Sequence, residues 1–167
     1  MSDYRRLYHP GGLYFFTAVT AGRRPLFADE ANVEVLRSAL RHVIQRRPFK
    51  LEAIVILPDH LHCLWQLPEG DADYSNRWKI LKGYVTRNLK DAHGSIWQPR
   101  FWEHLIRDDD DRRRHLDYIH FNPVKHGFVT DPIQWRFSSF HRYRGLGIYP
   151  EGWGITTPPT VATINCE

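Results

Sequence analysis

The chain has 167 residues, with 23 Lys and Arg against 19 Asp and Glu, which gives a formal net charge of +4. Hydrophobic residues make up 42% and aromatic residues 14% of the chain, so we expect one domain with a sizeable core rather than a disordered protein. No apolar stretch approaches the roughly 20 residues that span a bilayer, and no apolar segment follows the charged N-terminus, so we expect neither a membrane protein nor a secretory signal.

Cysteine content and charge distribution narrow the class of protein further. Two cysteines are too few for a disulfide framework, so we expect a cytoplasmic protein. Residues 1–50 carry nine basic and four acidic side chains (+5), which leaves −1 for the remainder. The pairs Arg5-Arg6 and Arg23-Arg24 lie among aromatic residues, a pattern typical of phosphate contacts beside stacking surfaces. A solvated charged surface gives the same pattern.

The first half of the chain contains three strand patterns and one helix pattern. Residues 13–20 are β-branched and aromatic, as in a buried strand. Apolar residues then recur at helical spacing over 29–47, where Asp29 is placed to cap the helix. The strand-like runs 50–57 and 60–67 are separated only by a Pro-Asp turn, which predicts an antiparallel hairpin.

The second half predicts a helix over 74–92, a strand within 100–107 and a helix that Pro123 ends. The resulting order of strand, helix, strand, strand, helix, strand indicates an α+β fold. This order is that of a ferredoxin-like sandwich, in which two helices pack on an antiparallel four-stranded sheet, with a further helix appended at the end. We expect a single domain over 1–151 and a C-terminal tail over 152–167.

His60 and His62 stand two residues apart on the second strand of the hairpin. Side chains alternate along a strand, so both imidazoles lie on one face of the sheet and Cys63 lies on the other. Two neighbouring imidazoles can ligate a divalent ion and leave positions open for a phosphate oxygen and water. The same pattern also occurs where two histidines bind nothing.

Tyr118 and Asn122 are four residues apart, which places a phenol and an amide on one face of the last helix. A phenol with a pKa near 10 is a weak nucleophile unless a metal polarises the phosphorus that it attacks. Asn122 is placed to supply an oxygen ligand. A packed tyrosine and an asparagine that ends the helix before Pro123 would give the same sequence.

Five motifs in a fixed order resemble those of the REP-associated tyrosine transposases, a branch of the single-tyrosine HUH nucleases. They are Pro58-Asp-His-Leu-His62, Trp97-Gln98, Phe101-Trp102 with Arg107, Tyr118-Ile-His-Phe-Asn-Pro-Val-Lys-His-Gly127, and Trp135-Arg-Phe-Ser-Ser-Phe140. The resemblance covers about residues 5–154, and the combination is far more specific than any single motif.

The resemblance implies that His60, His62 and Asn122 hold Mg²⁺ or Mn²⁺. It also implies that Tyr118 cleaves single-stranded DNA, leaving a 5′-phosphotyrosine and a free 3′-OH. Relatives from insertion sequences usually have Gln where this chain has Asn122, so the third ligand stays open. The alternatives are His115 and, more remotely, His104 and Glu103.

The function implied is that of a metal-dependent single-stranded DNA endonuclease and strand transferase, which acts next to repeated palindromic hairpins in DNA transposition. We expect single-stranded or hairpin DNA as partner, no membrane, and a monomer or homodimer. The side chains expected to contact DNA are Arg5, Arg6, Arg23, Arg24 and Lys125. Two alternatives remain: a domesticated hairpin-DNA-binding protein with little turnover, and a phosphoesterase with no covalent intermediate.

Overall fold

The described part of the chain, residues 5–90 and 92–167, folds around one antiparallel sheet in a computed structural model. Its strands, in the spatial order β2-β3-β1-β4, are β1 (Leu13–Val19), β2 (Lys50–Ile56), β3 (His60–Gln66) and β4 (Trp102–Leu105). All three neighbouring pairs are antiparallel. This strand order confirms the predicted ferredoxin-like sandwich.

Four α-helices accompany the sheet: α1 (Glu30–Arg46), α2 (Tyr74–Asn88), α3 (Asp109–Lys125) and the short α4 (Phe140–Gly145). The predicted cap of α1 is present, because the Asp29 carboxylate accepts a hydrogen bond of 2.9 Å from the Ala31 amide. At α3, the carboxylate of Asp108 accepts from the Asp111 amide in the same way. Asp108 therefore caps α3, and the three acids that follow it occupy the first turn, where negative charge matches the helix dipole.

Two helix ends differ from the prediction. Helix α2 ends four residues early, because Leu89 takes an extended conformation and turns its side chain into the core. The prediction that Pro123 ends α3 is wrong, since the helix continues to Lys125. Pro123 lies in the last turn, where it removes a single helical hydrogen bond. The amides of His126 and Phe128 then close the helix on the carbonyls of Asn122 and Pro123.

The two faces of the sheet carry separate hydrophobic cores. Leu61, Cys63 and Trp65 of β3 pack with α1 and α2. Leu64, on the opposite face of the same strand, packs with Leu116 and Ile119 of α3. The thiol of Cys63 therefore lies in the first core, as the alternation predicted, and His60 and His62 lie on the face that α3 covers.

Residues 152–167 run along α3. The Thr160 hydroxyl donates a hydrogen bond of 2.7 Å to one Asp117 oxygen, and the Tyr149 hydroxyl donates one of 2.9 Å to the other. Val161 is buried in the core on the α3 side of the sheet. The division between a domain over 1–151 and a tail over 152–167 stays a prediction. No helix in the described ranges is long and apolar enough to cross a membrane.

Candidate active site

His60 and His62 form the floor of the site. Both side chains are buried on the α3 face of β3, and their rings lie 4.9 Å apart and nearly perpendicular. Each ring is held through Nδ1: the His60 atom lies 2.6 Å from an Asp59 carboxylate oxygen, and the His62 atom lies 2.7 Å from the Thr17 hydroxyl. Contacts at Nδ1 leave Nε2 of both rings for a ligand.

The protonation of these groups suits metal binding. Burial lowers the pKa of His62 to about 4, so this imidazole is neutral at pH 7 and its lone pair is available. Burial alone would raise the pKa of Asp59, but the hydrogen bond from His60 and the ion pair with Arg23 lower it overall. Asp59 is therefore a charged carboxylate behind His60.

Tyr118 and Asn122 of α3, together with His126 directly after the helix, are spaced one helical turn apart and cover the two histidines. The Tyr118 ring centroid lies 5.2 Å from that of His62, and the His126 ring centroid lies 5.1 Å from that of His60. Asn122 is four residues from each, so it lies between them on the same helix face. The structure thus brings together the predicted nucleophile and all three predicted ligands.

Asn122 is fully buried, yet neither its side-chain oxygen nor its nitrogen has a hydrogen-bond partner, and the same holds for Nε2 of His60. Buried polar atoms without partners are rare in folded proteins because each costs about 1–3 kcal/mol. Two imidazole nitrogens and an amide oxygen form a donor set suited to a divalent ion. The residues present therefore fit the metal that the motifs implied.

Glu167 is the residue of this site that sequence reasoning missed. Its Oε1 atom lies 3.4 Å from Nε2 of His62, 3.6 Å from Nε2 of His60 and 2.7 Å from Nε2 of His126. Burial alone would raise the pKa of Glu167, but the three imidazoles around the carboxylate outweigh it and hold the pKa far below its usual range. The Glu167 carboxylate is therefore close enough to His60 and His62 to bind the same metal ion as the two imidazoles.

The Tyr118 hydroxyl has three polar neighbours. It donates a hydrogen bond of 3.2 Å to Glu167, and it accepts hydrogen bonds of 3.3 Å from the Lys125 ammonium and from the Cys166 amide. Burial, together with the Glu167 charge, raises the pKa of Tyr118. The phenol is therefore neutral at pH 7, and positive charge such as that of Lys125 is needed to stabilise a phenolate.

The alternative third ligands lie elsewhere. His104 and His115 both contact the buried Asp111, at 2.8 Å and 3.2 Å, in a second group of potential metal ligands. Nδ1 of His115 is also 2.8 Å from the Asp111 carbonyl oxygen. Glu103 lies on the opposite face of the sheet, where it forms an ion pair with Arg6. Of the candidate third ligands named from the sequence, Asn122 is therefore the one on the helix face between Tyr118 and His126, whose rings contact His62 and His60.

The predicted DNA-contacting arginines occupy different positions. Arg5 is exposed, whereas Arg6 lies 4.0 Å over the Phe101 ring in addition to its ion pair. Arg24 donates to the carbonyl oxygens of His93 and Ser95. Arg23 is paired with Asp59 at 3.1 Å. Arg23 and Lys125 are thus beside the site, and the other three are farther along the surface.

Comparison with known proteins identifies the family. The family model described as "Transposase IS200 like" matches residues 11–106, which include the four strands, His60 and His62. The REP-associated tyrosine transposase of Escherichia coli (strain K12) is 48% identical over 155 residues, covering 92% of this chain and 91% of that protein. The chain belongs to the REP-associated tyrosine transposases.

Two further matches agree with this family. A relative from Haemophilus influenzae is 48% identical over 166 residues, covering 92% of this chain and 94% of that protein. A solved REP-associated tyrosine transposase bound to a REP hairpin superposes with a TM-score of 0.84, at 46% identity over 96% of both chains. Membership confirms the resemblance that the motifs indicated and makes the protein a DNA transposase or nuclease.

Proposed function

We propose that this REP-associated tyrosine transposase binds REP hairpin DNA and cleaves the adjoining single strand through a covalent bond to Tyr118. The observation that carries the proposal is the meeting of Tyr118, His62 and the unpartnered amide of Asn122 between β3 and α3. The similar structure that is bound to a REP hairpin supports the same class of DNA.

The chain's own residues suit the transfer. The phenol oxygen of Tyr118 attacks the scissile phosphorus, the bond from phosphorus to the 3′ oxygen breaks, and that oxygen takes up a proton to become a free 3′-OH. Glu167 accepts the hydrogen bond of Tyr118 and so orients the phenol and is the carboxylate closest to its proton. The Lys125 ammonium stabilises the negative charge that develops on the phenol oxygen.

Because the phosphotyrosine keeps the phosphoryl group, a 3′-OH can attack it in reverse and rejoin a strand. Cleavage and strand transfer are therefore the forward and reverse directions of the same phosphoryl-transfer reaction. A phosphoesterase with no covalent intermediate could not rejoin strands in this way. It would release a 5′-phosphate and would not need Tyr118.

His60, His62 and Asn122 would hold a divalent ion, with the Glu167 carboxylate in reach of it. Bound there, Mg²⁺ or Mn²⁺ would polarise the scissile phosphate. Asp59 and Thr17 orient the two imidazoles through their Nδ1 atoms. Cys63 and Cys166 are free thiols, which fits the cytoplasmic location expected from the sequence.

The test is incubation with labelled single-stranded REP hairpin DNA and Mn²⁺, followed by a denaturing gel. We expect the parent protein to give a covalent adduct, and Tyr118→Phe to give neither adduct nor nicking while it still binds the hairpin. Tyr84→Phe on α2 is the matched control and should behave like the parent. Nicking by Tyr118→Phe would contradict the proposal, and parental binding without any nicking would favour the domesticated DNA-binding protein.

A further inference from the structure

Trp102 of β4 and His62 of the candidate active site belong to the same row of residues across the sheet. It is directly opposite Thr17 of β1, and Thr17 is directly opposite His62 of β3. Residues paired in this way have their side chains on the same face of the sheet. Neighbouring strands are about 4.8 Å apart, so Trp102 and His62 are roughly 10 Å apart on one surface.

A cavity of about 280 Å³ opens between Trp102 and the site. Its lining includes Thr17, Arg23, Gln98, Arg100, Trp102 and Glu167. Thr17 and Glu167 both contact His62, so the cavity is continuous with the site. Its volume is near the roughly 300 Å³ at the lower end of small-molecule pockets, which suits one flat base rather than a folded segment.

The chemistry of this lining is that of a nucleotide site. Half of the Trp102 side chain is exposed, on the face that carries His62. Arg100 is exposed as well, and within residues 5–90 and 92–167 its guanidinium makes neither a hydrogen bond nor an ion pair. An indole face stacks on any base, and a free guanidinium binds phosphate.

Arg23 adds a second guanidinium to the lining of the cavity. Among the described residues it is the one non-glycine with positive φ, at 51°, a left-handed conformation that costs about 1–2 kcal/mol. Its ion pair with Asp59 holds it beside His60. The cavity therefore has one guanidinium held beside His60 through Asp59 and a second, that of Arg100, two residues before Trp102.

We infer that this cavity binds the nucleotide next to the scissile phosphate, with its base stacked on Trp102 and a backbone phosphate on Arg100. The inference rests on the proposed function and extends it, because it assigns a subsite for single-stranded DNA that is separate from hairpin binding. Trp102 and Arg100 are binding residues in this scheme and take no part in the transfer of the phosphoryl group.

The test compares a REP hairpin oligonucleotide that carries single-stranded extensions with the same hairpin lacking them. Base stacking is worth about 1–3 kcal/mol, so Trp102→Ala should weaken binding of the extended oligonucleotide about 5- to 150-fold. Its affinity for the bare hairpin should equal that of the parent. Trp102→Phe keeps an aromatic face and should keep most of the affinity, and Leu146→Ala, an exposed apolar residue after α4, should change nothing.

Arg100→Ala supplies a second, independent measurement. Removal of one phosphate contact should lower the salt slope for the extended oligonucleotide by about 0.7, whereas Arg41→Ala on α1 should leave it unchanged. Equal affinity of Trp102→Ala and the parent for the extended oligonucleotide would overturn the inference, and so would an equal weakening on both oligonucleotides. If the parent still forms the Tyr118 adduct in either case, the proposed function stands. If the parent neither binds hairpin DNA nor forms an adduct, the proposed function itself fails.

Discussion

Asp59 holds His60 through a contact of 2.6 Å between a carboxylate oxygen and Nδ1 of the ring, and the same carboxylate forms an ion pair with Arg23. The carboxylate fixes the tautomer in which Nδ1 carries the proton and Nε2 is free to ligate. Asp59 is thus a positioning residue whose effect on a metal passes through His60.

Asp59→Ala should therefore weaken divalent-metal binding about 10- to 100-fold, the usual effect of removing a carboxylate behind a histidine ligand. Calorimetric titration with Mn²⁺ measures this directly. Hairpin affinity should not fall, because the change removes a negative charge and leaves Arg23, the ion-pair partner of Asp59, in place. Glu34→Ala removes an exposed carboxylate of α1 and is the control. Unchanged Mn²⁺ affinity in Asp59→Ala would contradict the assigned role of His60.

His60→Ala and His62→Ala should each abolish measurable Mn²⁺ binding and adduct formation together, because either change leaves too few ligands. Asn122→Ala should have a smaller effect, since water can partly replace an amide oxygen. His104→Ala alters the second histidine group and should leave Mn²⁺ binding at this site intact. If His104→Ala rather than the other two variants removes the calorimetric signal, the metal site lies at His104, Asp111 and His115.

Much of the site could be predicted from the sequence because it depends on local periodicity. Alternation along β3 places His60 and His62 on one face, and helical spacing places Tyr118 and Asn122 on one face of α3. The short turn between β2 and β3 sets their pairing. Each of these relationships is determined by residues that are close together in the sequence, and the structure agrees with each of them.

The features of the site and fold that could not be predicted depend on contacts between residues far apart in the sequence, which no local pattern encodes. Glu167 reaches His62 from 105 residues away in the chain, and it follows a segment with no helical or strand period. Thr17 meets His62 because of the register between β1 and β3, which is set by packing on both faces of the sheet. Helix α3 passes Pro123 because the missing hydrogen bond falls in its last turn.

A pH-dependent contribution to stability is expected at Asp71. Its two oxygens accept hydrogen bonds of 3.1 Å and 2.7 Å from the buried guanidinium of Arg77. These bonds and one from the Asp73 amide lower the pKa of Asp71 to about 2. The folded-state pKa is below the unfolded value, so this stabilisation is present above about pH 4 and is lost as the pH falls through 2.

Asp71→Asn should lower the free energy of unfolding at pH 7 by about 1–2 kcal/mol, a range reduced because the carboxylate is partly exposed. Urea denaturation measures the difference, which should shrink as the pH is lowered toward 2. Glu34→Gln breaks only an exposed pair on α1 and should have a much smaller effect. A difference between Asp71→Asn and the parent that stays constant from pH 7 to pH 2 would show that the charge of Asp71 is not its source.

The arginines near the start of the chain should contribute the general attraction for DNA. The first 50 residues carry +5 and the remainder −1, so the remainder cannot supply a comparable field. Arg5 is exposed, whereas Arg6 is partly neutralised by Glu103. Arg23 and Arg24 also have intramolecular partners. We therefore expect replacement of each pair to remove one or two phosphate contacts.

Every phosphate contact that is removed should lower the salt slope by about 0.9 on duplex DNA or about 0.7 on a single strand. Double replacement of Arg5 and Arg6 by Ala, and separately of Arg23 and Arg24, should weaken hairpin binding and make its salt dependence shallower without changing which hairpin is preferred. Filter binding between low and moderate salt measures both. Double replacement of Arg37 and Arg41 removes the same charge from α1 and measures how much of the effect comes from net charge alone, so it should weaken binding less than either front pair. If the Arg5 and Arg6 variant keeps the parental affinity and slope, the phosphate contacts lie instead along the Arg112–Arg114 run of α3.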